Sequence, residues 1–344
     1  MRRGLISWSK DEVPEQVLIE RVQALQDAMK HHQLAACLAY TSIAQPSAVN
    51  WLTHFTPYWS EALLVILPSG PPVLLASLTK RVHTWIHEVS LMGEIIMAPK
   101  LGENAQAFLN DKLAPGSKVG VIGLESLPGS IASVLVTAGG AQEWVDASGM
   151  FADLRMRSDA CEMGLVKKAE RIAQAAFSAL AVSYTESSSL AAALELQARL
   201  GGAEDVIIRI APDLSKDAVF RRLEGELPLS SMYSVELSVA YKGVWIRLVE
   251  NFADEATTQE WGQLKTWWSQ VVQDFKFNAA TTPVSFEGKS LEFIRLESCQ
   301  TTCPLDVVDL KTHSPNTPIG WGVLSTEIKW GRAHWPATQT VYAS

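Results

Sequence analysis

Apolar positions recur with two different periods in the first 150 residues. Between residues 15 and 33 they follow helical spacing, with charged and amide side chains between them, which predicts an amphipathic helix. Short apolar runs predict strands at 34–40, 62–67, 73–76, 94–97 and 118–122. Further helices are predicted near 79–92, 103–113 and 128–138. Strands that alternate with helices predict an α/β domain over about residues 13–148.

The pattern changes in the second half of the chain. A long apolar stripe predicts a helix over 158–180, capped by Ser158 or Asp159, and Thr185 or Ser187 is expected to cap a second helix that ends at Leu200. Strands are predicted at 206–210, 232–239 and 244–252, with a Lys242-Gly243 turn, and a helix at 261–275. We therefore expect an α+β second domain, with domain limits of 1–149 and 150–344 and no assigned element after Phe277.

Composition narrows the classes of function. The net charge is −8 and basic runs are short, which argues against a general nucleic-acid binder. No apolar stretch reaches the length of about 20 residues that spans a bilayer, and the first residues lack the apolar core of a signal peptide. We expect no membrane association and a cytoplasmic protein. The four cysteines are too scattered for a disulfide framework, and Cys299 and Cys303 lack a second pair for a zinc site.

Several segments together match the pattern of a known enzyme family. They are Asn50-Trp51-Leu52-Thr53-His54-Phe55, the stretch from Leu154 to Ala169, the Thr185-Glu186 start of the next helix and the Gly201-Gly202-Ala203 turn. In this order they resemble the creatinase/aminopeptidase P/prolidase family: the first is similar to a segment of its N-terminal domain, and the others resemble the beginning of its pita-bread catalytic domain. The resemblance covers about residues 15–275. It implies a creatinase-like α/β domain followed by an α+β pita-bread-like domain, here shortened and degenerate, and a homodimer.

The resemblance also implies where metal ligands should stand, and this chain departs from that pattern. The family's hairpin carries two aspartates that hold two metal ions together with a later His and two Glu. When the hairpin is anchored on Gly243 and Phe252, the first aspartate aligns with Glu236, the second with Arg247 and the family's arginine with Glu250. A guanidinium is permanently charged and has no acceptor, so it repels divalent cations. We therefore expect no metal and no cofactor.

We expect the former metal cavity to bind a ligand instead. Alternate residues of a strand share a face, so Glu236 and Arg247 should point into the cavity, with Trp245 on the Arg247 face. We predict a Glu236–Arg247 ion pair where the metals would lie, and a ligand site of Glu236, Arg247, Trp245 and Glu250. The alternative is a partly exposed pair that contributes little. Glu297 and Glu327 both fit the family's terminal glutamate, and the sequence does not choose between them.

Other candidates for acid–base or metal chemistry are weaker. The segment 212–220 corresponds to the place where creatinase carries a histidine base, and it holds Asp213, Lys216 and Asp217 but no histidine. These residues are catalytic candidates if they are buried, and a solvated loop otherwise. His83 and His87 have the i, i+4 spacing of a metal pair, but no third ligand is in view.

Three functions remain open at this point. The first is a pseudoenzyme, a non-metal-binding homologue that binds a peptide, a small molecule or a protein partner in the former active-site cavity. The second is a metal-independent, creatinase-like hydrolase or lyase that acts on a small amino-acid-like or guanidino compound. The third is an Xaa-Pro-type metallopeptidase whose ligands align differently. Catalytic residues, the ligand's identity and residual catalysis are not determined by the sequence.

Overall fold

The computed structural model describes most of the chain. Described are residues 7–45, 47–57, 59–137, 142–180, 184–275, 285–286, 289–290, 294–298, 306–307 and 320–342. Contacts divide these residues into two compact units, with the boundary between Arg155 and Met156. Among the described residues, no helix has both the length and the apolar character needed to cross a membrane.

The first unit contains alternating strands and helices, as the pattern predicts. Its helices are α1 Glu15–His31, α2 Ser47–Thr53, α3 His83–Val89, α4 Leu101–Lys112, α5 Gly129–Ala132 and α6 Ser148–Arg155, with a π-helical turn at Ser133–Thr137. Its strands are β1 Ala36–Thr41, β2 Ala62–Ile66, β3 Val73–Ala76, β4 Glu94–Met97, β5 Lys118–Ile122 and β6 Glu143–Asp146. Three of these strands, β3, β4 and β5, coincide with the predicted segments.

A single mixed sheet lies between two apolar layers in this unit. The strand order is β4-β3-β2-β1-β5-β6, with β1 parallel to β5 and antiparallel to β2. Side chains alternate across the sheet: Cys37 and Leu64 pack with α1, α2 and α6, whereas Leu38 and Val65 pack with α4 and α5. Burial on both faces explains why these strands read as continuous apolar runs.

The boundary between the units falls slightly later than the predicted limit at 149/150. Helix α6 belongs to the first unit because Phe151 is fully buried in the core that also contains Trp51. The two rings meet edge to face, with 5.5 Å between their centroids. Met156, by contrast, is buried in the core of the second unit.

The described residues of the second unit form three long helices and two four-stranded sheets. Its helices are α7 Ala160–Ser178, α8 Ser187–Leu200 and α9 Glu255–Asp274. Its strands are β7 Asp205–Ala211, β8 Arg221–Arg222, β9 Tyr233–Tyr241, β10 Val244–Phe252, β11 Ser285–Phe286, β12 Lys289–Ser290, β13 Ile294–Ser298, β14 Asp306–Val307, β15 Trp321–Trp330 and β16 Ala333–Tyr342. The sheets have the orders β10-β9-β7-β8 and β14-β13-β15-β16, and β11 pairs with β12.

The helix caps agree only partly with the sequence. Asp159 caps α7, since its carboxylate accepts the N–H of Glu162 at 2.7 Å, as predicted. Neither Thr185 nor Ser187 is the N-cap residue of α8; Glu186 stands there without a side-chain cap. Instead the distant carboxylate of Glu226 accepts a hydrogen bond from the backbone N–H of Ser188 at 3.2 Å. Local sequence could not indicate a cap that comes from another segment.

The tight turn between β9 and β10 fixes the register of the hairpin. Lys242 and Gly243 have φ values of 47° and 81°, the left-handed conformations that a two-residue hairpin turn needs. The strands then pair from Tyr241↔Val244 to Tyr233↔Phe252. This register decides which side chains of the hairpin share a face, and hence the composition of the candidate site.

Candidate functional site

One face of the β10-β9-β7 sheet carries a row of charged side chains. Glu236 on β9 is paired with Arg209 on β7 and with Val249 on β10, and Ser238 is paired with Arg247. Directly paired residues of antiparallel strands project from the same face, at about 4.5–5.5 Å between Cβ atoms. The fold therefore places Arg209 on one side of the Glu236 carboxylate and Arg247 on the other.

These groups form a connected set of ion pairs. Arg209 Nε donates to Glu236 Oε1 at 2.6 Å, and Arg247 Nε lies 3.4 Å from the same oxygen. Arg247 Nη1 donates to Glu297 Oε2, and Arg247 Nε also donates to Ser238 Oγ at 3.3 Å. The predicted Glu236–Arg247 contact is thus present. Arg247 also contacts a second carboxylate, that of Glu297, which is one of the two candidate glutamates.

Burial strengthens the attraction between these charges but also removes their hydration. The side chains of Arg247, Glu236 and Glu297 have relative exposures of 12%, 6% and 2%. Each ion has lost most of its hydration, a cost that only close opposite charges and hydrogen bonds can offset. With two guanidinium groups and two carboxylates, the set is neutral. If any one of the four side chains is removed, the set carries an uncompensated charge.

The other two predicted site residues lie apart from this set. Trp245 is on the Arg247 face, as expected, and is buried next to Ala240 across the hairpin. Glu250 is three residues from Arg247, and because strand side chains alternate, it projects from the opposite face. Its carboxylate lies 3.9 Å from Lys265 Nζ on α9. The site prediction therefore needs correcting for Glu250, which does not share the face of Glu236.

A cavity of about 250 Å³ opens in front of the ion pairs, between the two sheets. Its lining comprises Arg209, Ala218, Phe220, Glu236, Arg247, Val249, Ser325, Thr326, Glu327, Pro336, Ala337 and Thr338. Neither Trp245 nor Glu250 belongs to this lining. Asn251 connects the two sheets beside the cavity, since its side-chain amide donates to the carbonyl of Pro336 at 2.8 Å.

The second candidate glutamate, Glu327, lines the cavity from the other sheet. Its Oε1 atom lies 2.8 Å from Nδ1 of His334. His334 is in turn anchored by its backbone N–H, which donates to the carbonyl of Leu214 at 2.8 Å. Both glutamates thus face the site, and the chain adds a histidine that sequence reasoning had not connected with it.

The loop between β7 and β8 forms one wall of the cavity through Ala218 and Phe220. Its acidic residues are paired with neighbouring cations and hydroxyls. Hydrogen bonds from Lys216 and Ser215 hold the pKa of Asp213 down at about 2. A bidentate pair with Arg221 lowers the pKa of Asp217. Groups that stay ionised and paired are poor proton acceptors, which favours the solvated-loop interpretation.

Other proposed ligands of metals are not assembled in the described part of the chain. The candidate pair His83 and His87 lies on α3 in the first unit. Burial is the main cause that lowers the pKa of His83. No group of three or more His, Cys, Asp or Glu side chains stands at metal-binding distances among the described residues. Cys299 and Cys303 lie outside them.

The residues at the hairpin do not fit a two-metal centre. The carboxylate oxygens of Glu236 and Glu297 that would bind cations accept hydrogen bonds from Arg209 and Arg247. A divalent ion placed between these carboxylates would lie beside two fixed positive charges in a poorly hydrated site, where repulsion is large. The two carboxylates therefore bind guanidinium groups in the place where a metalloenzyme of the family would bind metal ions.

The comparisons with known proteins agree with this architecture. Residues 21–157 match the family model of the creatinase/prolidase N-terminal domain. No curated protein sequence matches the chain. Solved structures match over nearly the whole length of both chains, and an Xaa-Pro dipeptidase from Bacillus anthracis aligns with a TM-score of 0.70, 16% identity and coverage of 95% of each chain.

Two further structures show the same fold. The recombinant prolidase from Thermococcus sibiricus has a TM-score of 0.67 at 13% identity, covering 95% of this chain and 94% of that one. The X-Pro aminopeptidase from Thermotoga maritima has a TM-score of 0.66 at 15% identity and covers 94% of both. The predicted fold, a creatinase-like domain followed by a pita-bread-like domain, is confirmed. With such coverage, the second domain is not markedly shortened relative to these structures.

Proposed function

We propose that this chain is a creatinase/prolidase homologue without a metal centre that binds a small molecule in the former active-site cavity. The match of residues 21–157 to the creatinase/prolidase N-terminal domain and the prolidase-like fold support the relationship. The observation that carries the proposal is the position of Arg247, whose guanidinium contacts both Glu236 and Glu297. The hairpin resemblance places a metal-binding aspartate at this position. The substitution replaces an anionic ligand with a fixed cation.

The size and lining of the cavity favour a small ligand over a peptide chain or a protein partner. Its volume of about 250 Å³ lies below the usual range of about 300–1,000 Å³ for drug-sized ligands. Charged groups, hydroxyls and apolar side chains all contribute to its surface. Polar and charged side chains make up most of this lining, so a ligand that fits it carries hydrogen-bonding or charged groups as well as an apolar part.

A ligand screen with two matched variants tests this proposal. Small metabolites are screened by thermal shift against the wild-type protein, the Val249→Phe variant and the Val219→Phe variant. Val249 lines the cavity, whereas Val219 is 56% exposed and does not. We expect stabilising ligands to lose their effect on Val249→Phe and to keep it on Val219→Phe. Ligands that stabilise all three proteins equally would contradict the proposal.

A peptidase assay addresses the metal-dependent alternative. The purified chain is incubated with alanyl-proline and Mn²⁺, Co²⁺ or Zn²⁺, beside a metal-dependent prolidase as positive control. We expect no hydrolysis by this chain, because no described group of carboxylates and histidines offers a divalent cation a site free of guanidinium groups. Turnover that depends on the added metal would restore the Xaa-Pro-type metallopeptidase interpretation.

One observation favours a second candidate, a metal-independent enzyme of the creatinase type. The imidazole of His334 is oriented by Glu327, which lines the cavity, and a histidine held by a carboxylate is suited to accept a proton. For this candidate, His334 rather than a residue of the 212–220 loop is the general base. A substrate whose turnover by the wild-type protein is abolished in His334→Gln, with binding retained, would establish it. Binding without turnover in both proteins would favour the non-catalytic function.

A further inference from the structure

We propose that the cavity is a site for a small organic ammonium ion, bound through Ser325, Glu327 and Thr338. This inference rests on the proposed function and names the class of its ligand. Three features of the second unit support it: the clustering of acceptor side chains on one wall, a buried hydroxyl without a partner, and the balance of charge around the cavity.

The three acceptors lie on one side of the β15–β16 pair. Ser325 is directly paired with Thr338, and Glu327, two residues from Ser325, is paired with Pro336. All four residues line the cavity. Paired Cβ atoms are about 4.5–5.5 Å apart and diagonal neighbours about 7–8 Å apart. One nitrogen placed between these side chains is within hydrogen-bonding reach of two hydroxyls and a carboxylate.

An ammonium group matches this set chemically. It carries up to three N–H donors and no acceptor, so each donor needs an acceptor when the group leaves water. A carboxylate and two hydroxyl oxygens supply three acceptors. Glu327 retains acceptor capacity while its Oε1 contacts His334, because a carboxylate has about four lone-pair sites.

The hydroxyl of Thr338 indicates that a donor belongs in this place. Its Oγ1 atom is buried and has no hydrogen-bond partner among the described residues. Leaving a buried polar atom unpaired costs about 1–3 kcal/mol, so such atoms are few in folded proteins. Thr338 also lines the cavity, so a rotation about its χ1 angle that turns the hydroxyl toward the cavity would let a ligand N–H satisfy this oxygen.

The charges around the cavity favour a monocation over an anion. Arg209 and Arg247 are compensated by Glu236 and Glu297, through the contacts described above. Glu327 is the remaining acid of the lining, and it adds one negative charge when His334 is neutral. An anionic ligand would approach guanidinium groups that already have their counter-ions, and it would also meet the Glu327 carboxylate.

The remainder of the lining accommodates an apolar body. Phe220 and Val249 stand on one side, and Pro336 and Ala337 on the other. Burying an aliphatic group against them contributes about 25 cal/mol for each Å² of apolar surface removed from water. The ligand class is therefore a compact alkylammonium with its charged end toward Glu327.

Calorimetric titration with three probes of similar shape tests the inference. The probes are 3-methylbutylamine, 3-methyl-1-butanol and 4-methylpentanoate, titrated into the full chain at about pH 8, where the amine is charged and histidine side chains are neutral. We expect the amine to bind at least about tenfold more tightly than the alcohol or the carboxylate, since charged hydrogen bonds exceed neutral ones. Equal or tighter binding of the carboxylate, or no binding of the amine, would overturn the inference.

Three variants connect the result to the residues. Glu327→Gln is expected to weaken amine binding about tenfold or more, and Thr338→Val to weaken it several-fold without loss of folding, because it removes an unpaired buried hydroxyl. Glu260→Gln, on the exposed surface of α9, removes the same charge elsewhere and should change nothing. Amine binding that is insensitive to both Glu327→Gln and Thr338→Val also contradicts the inference.

The outcome separates this inference from the function on which it rests. Loss of ligand binding on Val249→Phe, combined with preference for the carboxylate probe, would retain a cavity that binds small molecules and reject the ammonium class. Metal-dependent peptidase activity would reject the proposed function itself, whichever probe binds.

Discussion

Arg247 donates a hydrogen bond to the carboxylate of Glu297, which lies 50 residues further along the chain. The contact joins β10 to β13 and completes a chain of charges that begins at Arg209 and continues through Glu236. Because three of these four side chains are largely buried, the charges depend on one another. Removing one of them leaves its partner charged in a poorly hydrated place.

The first prediction concerns this dependence. Arg247→Met keeps most of the side-chain volume but removes the charge, and leaves Glu297 without the guanidinium. Breaking a buried pair from one side costs about 3–5 kcal/mol. We therefore expect the free energy of unfolding, measured by urea denaturation, to fall by that amount.

Two further variants control for the loss of an arginine as such. Arg221→Met removes a partner of the exposed Asp217 pair and should cost no more than about 1 kcal/mol. The double variant Arg247→Met/Glu297→Gln should recover part of the stability lost in Arg247→Met, because the stranded carboxylate is gone. If Arg247→Met and Arg221→Met lower the free energy of unfolding by the same amount, the buried ion pair contributes no more to stability than an exposed one.

A second prediction concerns the pH dependence of stability. Burial raises the pKa of Glu204 from about 4.5 to about 7, although its carboxylate accepts the N–H of Gly243 at 3.1 Å. A carboxyl that binds its proton more tightly in the folded state stabilises the fold at low pH. This contribution is fully present below about 4.5 and is lost as the pH rises through about 7.

Glu204→Gln should remove this component. Thermal unfolding measured from about pH 5 to about pH 8 should therefore show a smaller loss of stability with rising pH in Glu204→Gln than in the wild-type protein. Glu224→Gln, which removes an exposed carboxyl, should keep the wild-type slope. Parallel curves for the wild-type protein and Glu204→Gln would argue against a raised pKa.

A third prediction compares the same substitution at two glycines. Gly243 has a φ of 81° in the hairpin turn, so Gly243→Ala places a side chain in the left-handed region and should destabilise the protein by about 1–2 kcal/mol. Gly164 is exposed within α7 and an added Cβ meets nothing within 4 Å. Gly164→Ala should therefore stabilise by about 0.5–1 kcal/mol. Chemical denaturation of both variants checks that the signs are opposite.

A fourth prediction concerns the start of α9. The carboxylate of Asp254 accepts the backbone N–H of Thr257 at 2.8 Å and caps the helix. Asp254→Ala should lower the free energy of unfolding by about 1 kcal/mol. Asp254→Asn keeps an acceptor at the cap and should lose less. A loss of the same size in both variants would instead implicate the charge, through the exposed contact with Arg332 at 3.4 Å.

Much of the fold and part of the site followed from the sequence. The hairpin register is local: Lys242 and Gly243 fix the turn, and alternation then places Glu236 and Arg247 on one face, as predicted. The same alternation places Glu250 on the other face, whereas the alignment to the family predicts that it shares the cavity. Here the physical rule was more informative than the resemblance.

The remaining members of the site come from long-range pairing. Arg209 contacts Glu236 because β7 joins β9, and Glu327 lines the cavity because a second sheet lies opposite the first. His334 joins the site through its contact with Glu327. Neither arrangement is encoded in local spacing, since sheet partners distant in sequence are chosen by the packing of whole elements. A charged residue on a predicted strand next to the hairpin, as Arg209 is, was the available signal.

Metal content tests most directly whether Arg247 and its carboxylate partners replace a two-metal centre. The purified protein is incubated with Mn²⁺, Co²⁺ or Zn²⁺, desalted and measured by elemental analysis, beside a metal-binding prolidase treated identically. We expect this chain to retain no metal, because the carboxylates of Glu236 and Glu297 are held by guanidinium groups. Retention of about two equivalents per chain would contradict it and would point to a working metal centre.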